Sequence, residues 1–441
     1  MSYPKIIVTP PGPRAREIIK LDAKYSSPST GHLYPAVFES AQDCIVRDVD
    51  GNEFIDFDSA GGIMNVGHNH PRVLRAVREQ LDKAMHYGYS VAFYELLPQL
   101  SKALDTLVPG GGEKRFFYSN SGSEAFEAGM KAAAWHTRGQ TFLGFMGSSH
   151  GRTLGALSLS GANPIHRKHF PVLAKSVTVP YPYCYRCPCG QESPDCGCLC
   201  LDNFENHLRT DVSREDVAAL ALEPVQGEGC IIPPEAFFKR LQKLTEKHGI
   251  LLLADEVLTG IGRTGRWFAL DNWEVTPDIL CVDGSLSSGL PLGVTAAKTD
   301  VMDWEPGSHV STLGGNPLAC ASALEVLEVI REEHLLENAT KQGRYMLRLL
   351  EELVEKYSIL GEVRGKGLLI GLEVVKDRET KEPNPEGARQ IALKSWRRGV
   401  ICQTVGVSTV RFCPPLTISQ QLIDTGLEVV ETAIHEVAIE S

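Results

Sequence analysis

Residues 277–293 read PDILCVDGSLSSGLPLG. DILCVDG (278–284) is short, apolar and rich in strand-forming residues, as a strand buried on both faces should be. PLGVTAAK (291–298), on the far side of a Ser/Gly-rich turn, has the same texture. Five upstream segments repeat it: KRFFYSN (114–120), TFLGFMG (141–147), SVTVPYP (176–182), VAALALEPV (217–225) and GILLLADEV (249–257). Between several of them lie amphipathic stretches such as SEAFEAGMKAAAWHT (123–137) and PEAFFKRLQKLTEKHG (234–249), with apolar residues at helical spacing. This alternation predicts an α/β fold with a mostly parallel sheet.

After Pro317 the texture changes. A long helical stretch (318–357) leads into short strands within 361–375, 399–406 and 409–415, then a last helix from Ser419. We expect three parts: an N-terminal segment (1–60) packing with a small domain, a large domain (61–318), and the small α+β domain (319–441). No internal repeat is present.

The chain has 441 residues, 43% hydrophobic and 22% charged, with a net charge of −11. That supports a sizeable core and gives no basic patch for nucleic acid. No apolar run approaches the ~18–20 residues of a membrane span. The first residues carry no apolar leader, so a cytoplasmic protein is expected.

Six of twelve cysteines crowd into YPYCYRCPCGQESPDCGCLC (181–200), within an insert at 183–201. The other six sit among apolar neighbours, like small buried hydrophobes. Cys184, Cys187, Cys196 and Cys200 have spacings that suit a structural zinc or an iron–sulfur cluster, with Cys189 and Cys198 spare. Free or redox-active thiols and disulfides are the alternatives.

Four further motifs carry chemistry. YSNSGSEA (118–125) follows a strand and opens a helix, offering backbone N–H groups and a dipole to a phosphate. Its plainer reading is a helix cap by Ser121 or Ser123. LLLADEVLTGIGRTG (251–265) puts Asp255 at a strand end, where ligands gather in open α/β sheets. ALEPVQGEG (221–229) puts Glu223 and Glu228 at a second strand end. VRFCPPLTIS (410–419) carries Arg411, whose guanidinium fork suits a carboxylate; a salt bridge is its plainer reading.

From about Val46 to Ile418 the chain closely resembles class III (fold type I) aminotransferases. The resemblance implies the cofactor pyridoxal 5′-phosphate (PLP), or its amine form PMP. It implies that Ser121, Gly122 and Ser123 hold the phosphate, that Asp255 meets the pyridine nitrogen, and that Val257 packs on the ring. Ser149 and His150 of GSSHGRT (147–153) would lie on the other ring face. Glu223 and Glu228 would lie on the substrate side, and Arg411 would clamp a substrate carboxylate. Thr312 of HVSTLGGNPLA (309–319) would reach the phosphate of a neighbouring subunit, which implies a homodimer, or a mixed dimer with an active paralogue.

Two positions depart from the family. In P-D-[ILV]-x-x-x-x-K-x-[LI]-x-x-G-x-P-L-[GS] the lysine carries the Schiff base and the migrating proton; here that column holds Gly284, preceded by Asp283. Lys298 lies a strand further on and offers no replacement. Ser149 stands where relatives have Tyr or Phe stacked on the cofactor ring.

Three readings follow. One is a cofactor-binding protein with impaired transfer of an amino group from an ω-amino-acid, ornithine or 4-aminobutyrate type substrate to a 2-oxo acid. Another is a lysine-independent PLP or PMP enzyme of racemase, decarboxylase or aminomutase type. The third is a non-catalytic partner of an active paralogue.

Overall fold

The computed structural model describes residues 3–192 and 195–440. The chain divides into two compact units, residues 71–336 and the combination of 1–70 with 337–441. None of the helices among the described residues is long and apolar enough to cross a membrane.

The larger unit begins with α1 (Pro71–Leu81) and α2 (Leu96–Asp105). Then come β1 (Lys114–Ser119), α3 (Gly122–Thr137), β2 (Thr141–Phe145) and β3 (Lys175–Val179). β4 (Val217–Leu222), α4 (Glu235–His248), β5 (Leu251–Asp255), β6 (Ile279–Val282) and β7 (Gly293–Lys298) follow, and α5 (Pro317–Glu332) ends the series.

The seven strands form one sheet in the order β1-β7-β6-β5-β4-β2-β3. β7 runs antiparallel to both β1 and β6, and the remaining pairs are parallel. Every residue of β2, β4 and β6 is buried, which explains their unbroken apolar runs.

α3 lies on this sheet through small and apolar residues, among them Ala125, Phe126, Ala128, Met130 and Ala133. Thr295 Oγ1 on β7 donates to the carbonyl of Ala125 at 2.7 Å. That bond ties the first turn of α3 to the sheet. At the same end of β7, Gly293 pairs with Ser119. A Cβ there would come within 2.3 Å of the Ser121 carbonyl oxygen, so only glycine lets the strand approach this closely.

The smaller unit holds two sheets. Phe38–Gln42, Ile45–Asp48 and Glu53–Asp56 form an antiparallel set, joined in parallel by Val400–Ile401. Leu360–Lys366, Leu369–Asp377, Thr409–Phe412 and Gln403–Val405 form the second, all antiparallel. Helices Pro385–Arg397 and Gln420–Glu440 belong to this unit.

The breaks fall at 70/71 and 336/337, not at 60/61 and 318/319. α5 stays with the larger unit because it packs along α1. Arg72 on α1 reaches Glu325 and Glu332 on α5 at 2.5 Å each. Residues 61–70 go with the smaller unit, where His68 bridges to Asp43 and the Asn65 carbonyl accepts from the Leu416 amide.

Candidate active site

The chemistry-bearing residues of the larger unit collect where the parallel strands end. Asp255 is the last residue of β5, and Glu223 and Asp283 directly follow β4 and β6. Ser149 and His150 lie in the loop after β2, and Gly122 starts the helix after β1.

At the head of α3 the Ser121 hydroxyl accepts from the Glu124 amide at 3.2 Å. The Glu124 carboxylate takes the Asn120 amide at 2.8 Å. This is a close variant of the reciprocal cap that satisfies two orphan donors. The amides of Gly122 and Ser123 find no acceptor among the described residues and remain available to an anion. A Cβ on Gly122 would stand 2.9 Å from Val257 and 3.1 Å from Asp283 Oδ2, so these three residues share one crowded point. The Ser123 hydroxyl accepts from the Arg152 amide at 3.3 Å.

Asp255 is buried. Its Oδ1 accepts from the Val257 amide at 3.1 Å, and its Oδ2 lies 2.6 Å from His150 Nδ1. Because a carboxylate accepts, the imidazole proton sits on Nδ1. The ring of His150 stacks on Phe126, with centroids 4.2 Å and planes 3° apart. His150 Nε2 is buried and finds no hydrogen-bond partner among the described residues.

Glu223 spans two loops. Its Oε2 accepts from the Ser149 amide at 2.9 Å and its Oε1 from the Gly227 amide at 3.0 Å. Burial pushes its carboxyl up to about 7, and the nearby His150 pulls the other way. Glu223 therefore positions the loops on either side of it. Glu228 lies in the loop closed by the Gln226–Ile231 bridge, with His166 and Arg152 in its electrostatic neighbourhood. Arg152 donates to Ser149 Oγ at 3.4 Å, and its Nη2 lies 3.1 Å from His166.

Gly284 opens a short 3-10 turn, Gly284–Ser287. Lys298 is spent elsewhere: its ammonium pairs with Asp278 at 2.6 Å, beside the start of β6 and away from Gly284. Asp283 accepts one long bond, from the Ser285 amide at 3.4 Å. Burial raises its carboxyl to about 7, and the charge of Asp255 adds to the effect. Thr312 lies in a surface loop, where its carbonyl meets His86 Nε2 at 3.0 Å. In the smaller unit, Arg411 is buried and donates to Gln403 at 2.6 Å, with Asp58 3.9 Å away.

The metal expected in the cysteine insert is not supported. Among the described residues no three His, Cys, Asp or Glu side chains are arranged to hold an ion, and none of the twelve cysteines forms a disulfide. Cys184 is exposed, Cys187 and Cys196 are half-buried, and Cys200 is buried. Burial, with the neighbouring thiols of Cys198, Cys189 and Cys196, pushes the Cys200 thiol up to about 12. Ser193 and Pro194, within the insert, lie outside the described residues.

A seven-stranded α/β sheet with an anion cradle and a buried aspartate at its strand ends is the architecture of fold type I PLP-dependent transaminases. The sequence pattern of aminotransferase class-III matches residues 25–434, and the chain belongs to that family. It is 37% identical to the leucine/methionine racemase of Thermococcus litoralis, over 96% of each chain. It is 36% identical to a probable 4-aminobutyrate aminotransferase of Bacillus subtilis, over 88% of this chain and 90% of that one. Among solved structures it resembles an (S)-enantioselective omega-transaminase from Thermomicrobium roseum. That match has a TM-score of 0.89 at 30% identity and covers 96% of this chain and 99% of the other.

The residues present fit such a cofactor. Two free amides at a helix N-terminus suit its phosphate, and a buried carboxylate suits a protonated ring nitrogen. Three participants escaped the sequence reading: Phe126, Arg152 and Asp283. Phe126 reads as ordinary helix core, and Arg152 reads as part of the motif around Ser149. Asp283 adjoins Gly284, and its carboxylate beside the expected lysine column was the available signal.

Proposed function

We propose that this chain binds PLP or PMP non-covalently and that its ordinary amino-group transfer is impaired. The observation that carries the reading is a mismatch at one set of strand ends. The amides of Gly122 and Ser123 lack an acceptor among the described residues and Asp255 is buried, which supports the reading, while by the family pattern the lysine column holds Gly284. When bound, the cofactor supplies an electron sink conjugated to the substrate's amino nitrogen. Gly122 and Ser123 hold its phosphate, Asp255 keeps the ring nitrogen protonated, and Val257 supports one ring face. Glu223 fixes the loop bearing Ser149, and the guanidinium fork of Arg411, in the smaller unit, suits the carboxylate of an amino acid or 2-oxo acid. Glycine supplies neither a nucleophile nor a proton carrier.

The test is a gain of function. Purified protein mixed with PLP should hold it without a bond to the chain that borohydride reduction makes permanent, and should turn over amino acids well below 1 s⁻¹. Gly284→Lys, with Ser149→Phe, should create that bond and raise amino-group transfer to 2-oxoglutarate. Turnover by the unaltered chain in the ordinary enzyme range would refute impairment. No such bond in the lysine variant would refute the placement of Gly284.

A second reading is amino-acid racemisation without a lysine base. Similarity to a racemase at 37% identity supports it. Loss of the α-hydrogen to solvent deuterium, without a 2-oxo acid requirement, separates it from transfer.

We also propose that the working form is a dimer of this chain. Val91 and Phe93 are 86% and 90% exposed. They adjoin a cavity of about 220 Å³ lined by Tyr89, Phe117, Tyr118 and Val310. Leu313 is exposed close by. A contiguous apolar surface of this kind marks an interface, and two-fold dimers are the commonest assembly.

A further inference from the structure

Asp283 is a carboxylate without a cation. Its one hydrogen bond is the long one from the Ser285 amide, and among the described residues it makes no ion pair. Its nearest charged neighbour is Asp255, of the same sign. Oδ2 points at the start of α3, where a Cβ on Gly122 would lie 3.1 Å away, and Val257 closes on the same point. The carboxylate thus borders the phosphate cradle and immediately precedes the residue that lacks a side chain. A half-buried carboxylate in such a place gains most from a cation delivered by the ligand itself.

We infer that Asp283 is a specificity-determining residue that selects the amine form of the cofactor, pyridoxamine 5′-phosphate, over forms without a positive charge at that carbon. The inference rests on the cofactor reading above. In this arrangement the ligand's ammonium group stands in for the missing lysine ammonium as the countercharge of Asp283. An uncharged substituent leaves the Asp283 carboxylate without a countercharge beside a phosphate, since Asp255 already has its donors at His150 and Val257.

Pyridoxine 5′-phosphate is the suitable comparison, because it replaces the ammonium with a hydroxyl and forms no covalent bond with lysines. Dissociation constants for the two ligands are measured by tryptophan fluorescence on the full chain at pH 8, and again on Asp283→Asn. We expect the amine to bind about tenfold tighter or more to the unaltered chain. That preference should shrink to within about twofold in the variant, mainly through weaker binding of the amine. If the variant does not fold, Asp283→Ala provides the same neutral site. Equal binding by the unaltered chain would overturn the inference and leave the cofactor reading standing. A preference that survives in both neutral variants would overturn the assignment to Asp283. Failure of both ligands to bind would overturn the cofactor reading and the inference together.

Discussion

His150 Nδ1 stands 2.6 Å from Asp255 Oδ2, and both side chains are buried. Asp255 therefore keeps its orientation through a side-chain donor from the β2 loop and a backbone donor at Val257. Breaking a buried pair by removing one partner leaves an uncompensated charge. His150→Phe should destabilise the larger unit by about 3 kcal/mol, read as a lower urea midpoint at unchanged slope. A midpoint within about 0.5 kcal/mol of the parent would show that Asp255 does not depend on the imidazole.

The acidic strand ends make stability depend on pH. In the fold the Asp283 carboxyl is held up to about 7, against an ordinary value of 3.8. Below 3.8 it is protonated in both states and costs nothing. Between 3.8 and about 7 the folded chain holds the proton longer, so stability falls as pH rises. Above 7 the whole penalty is present. Asp283→Asn should match the parent near pH 3.5 and exceed it by about 1–3 kcal/mol at pH 8. Denaturant melts at the two pH values check the sign. A variant less stable than the parent at pH 8 would contradict it.

On the proposed reading, Ser149 leaves one face of the cofactor without an aromatic ring. Its backbone is fixed by Glu223, so a larger side chain enters a held loop. Ser149→Phe should tighten pyridoxamine phosphate binding by about 0.5–1.5 kcal/mol, roughly two- to tenfold. Fluorescence titration reads this directly. Unchanged affinity would mean that Ser149 does not face the ring.

Dimerisation has its own test. Phe93→Lys with Val91→Lys puts two charges on the exposed apolar surface. Sedimentation should show a dimer for the parent at micromolar concentration and a monomer for the double variant. A monomeric parent that still binds PLP would refute the dimer.

The strands and helices around the site were legible because each buried strand is an unbroken apolar run. VAALAL became β4 with every residue buried, and ILCV became β6. The domain breaks were less legible: α5 reads like the helices after it, and its packing on α1 and α2, with the Arg72 pairs and the Ser322–Ser287 bond, assigns it to the larger unit. The start of α3 at Gly122 could be read because YSNSGSEA sets small capping residues between an apolar strand and a helical pattern. The metal could not be judged, because cysteine spacing along a loop fixes neither the direction nor the burial of each thiol. Cys184 and Cys200 came out at opposite extremes of exposure. Phe126 under His150 depends on two segments meeting in space, which no local pattern encodes.

The antiparallel β7 has a consequence for how the chain is made. β1 has no other neighbour in its sheet, so its row of backbone groups stays unpaired until residues 293–298 have left the ribosome. At 5–20 residues per second that interval is about ten to a few tens of seconds. Throughout it the nascent chain carries an open apolar edge, RFFYS, of the kind that templates aggregation. The anion-binding amides follow β1 directly, and β7 supplies the Thr295 bond that fixes their helix. The cradle is therefore completed late in synthesis. On the proposed reading, a phosphorylated ligand stabilises this fold only after β7 has docked.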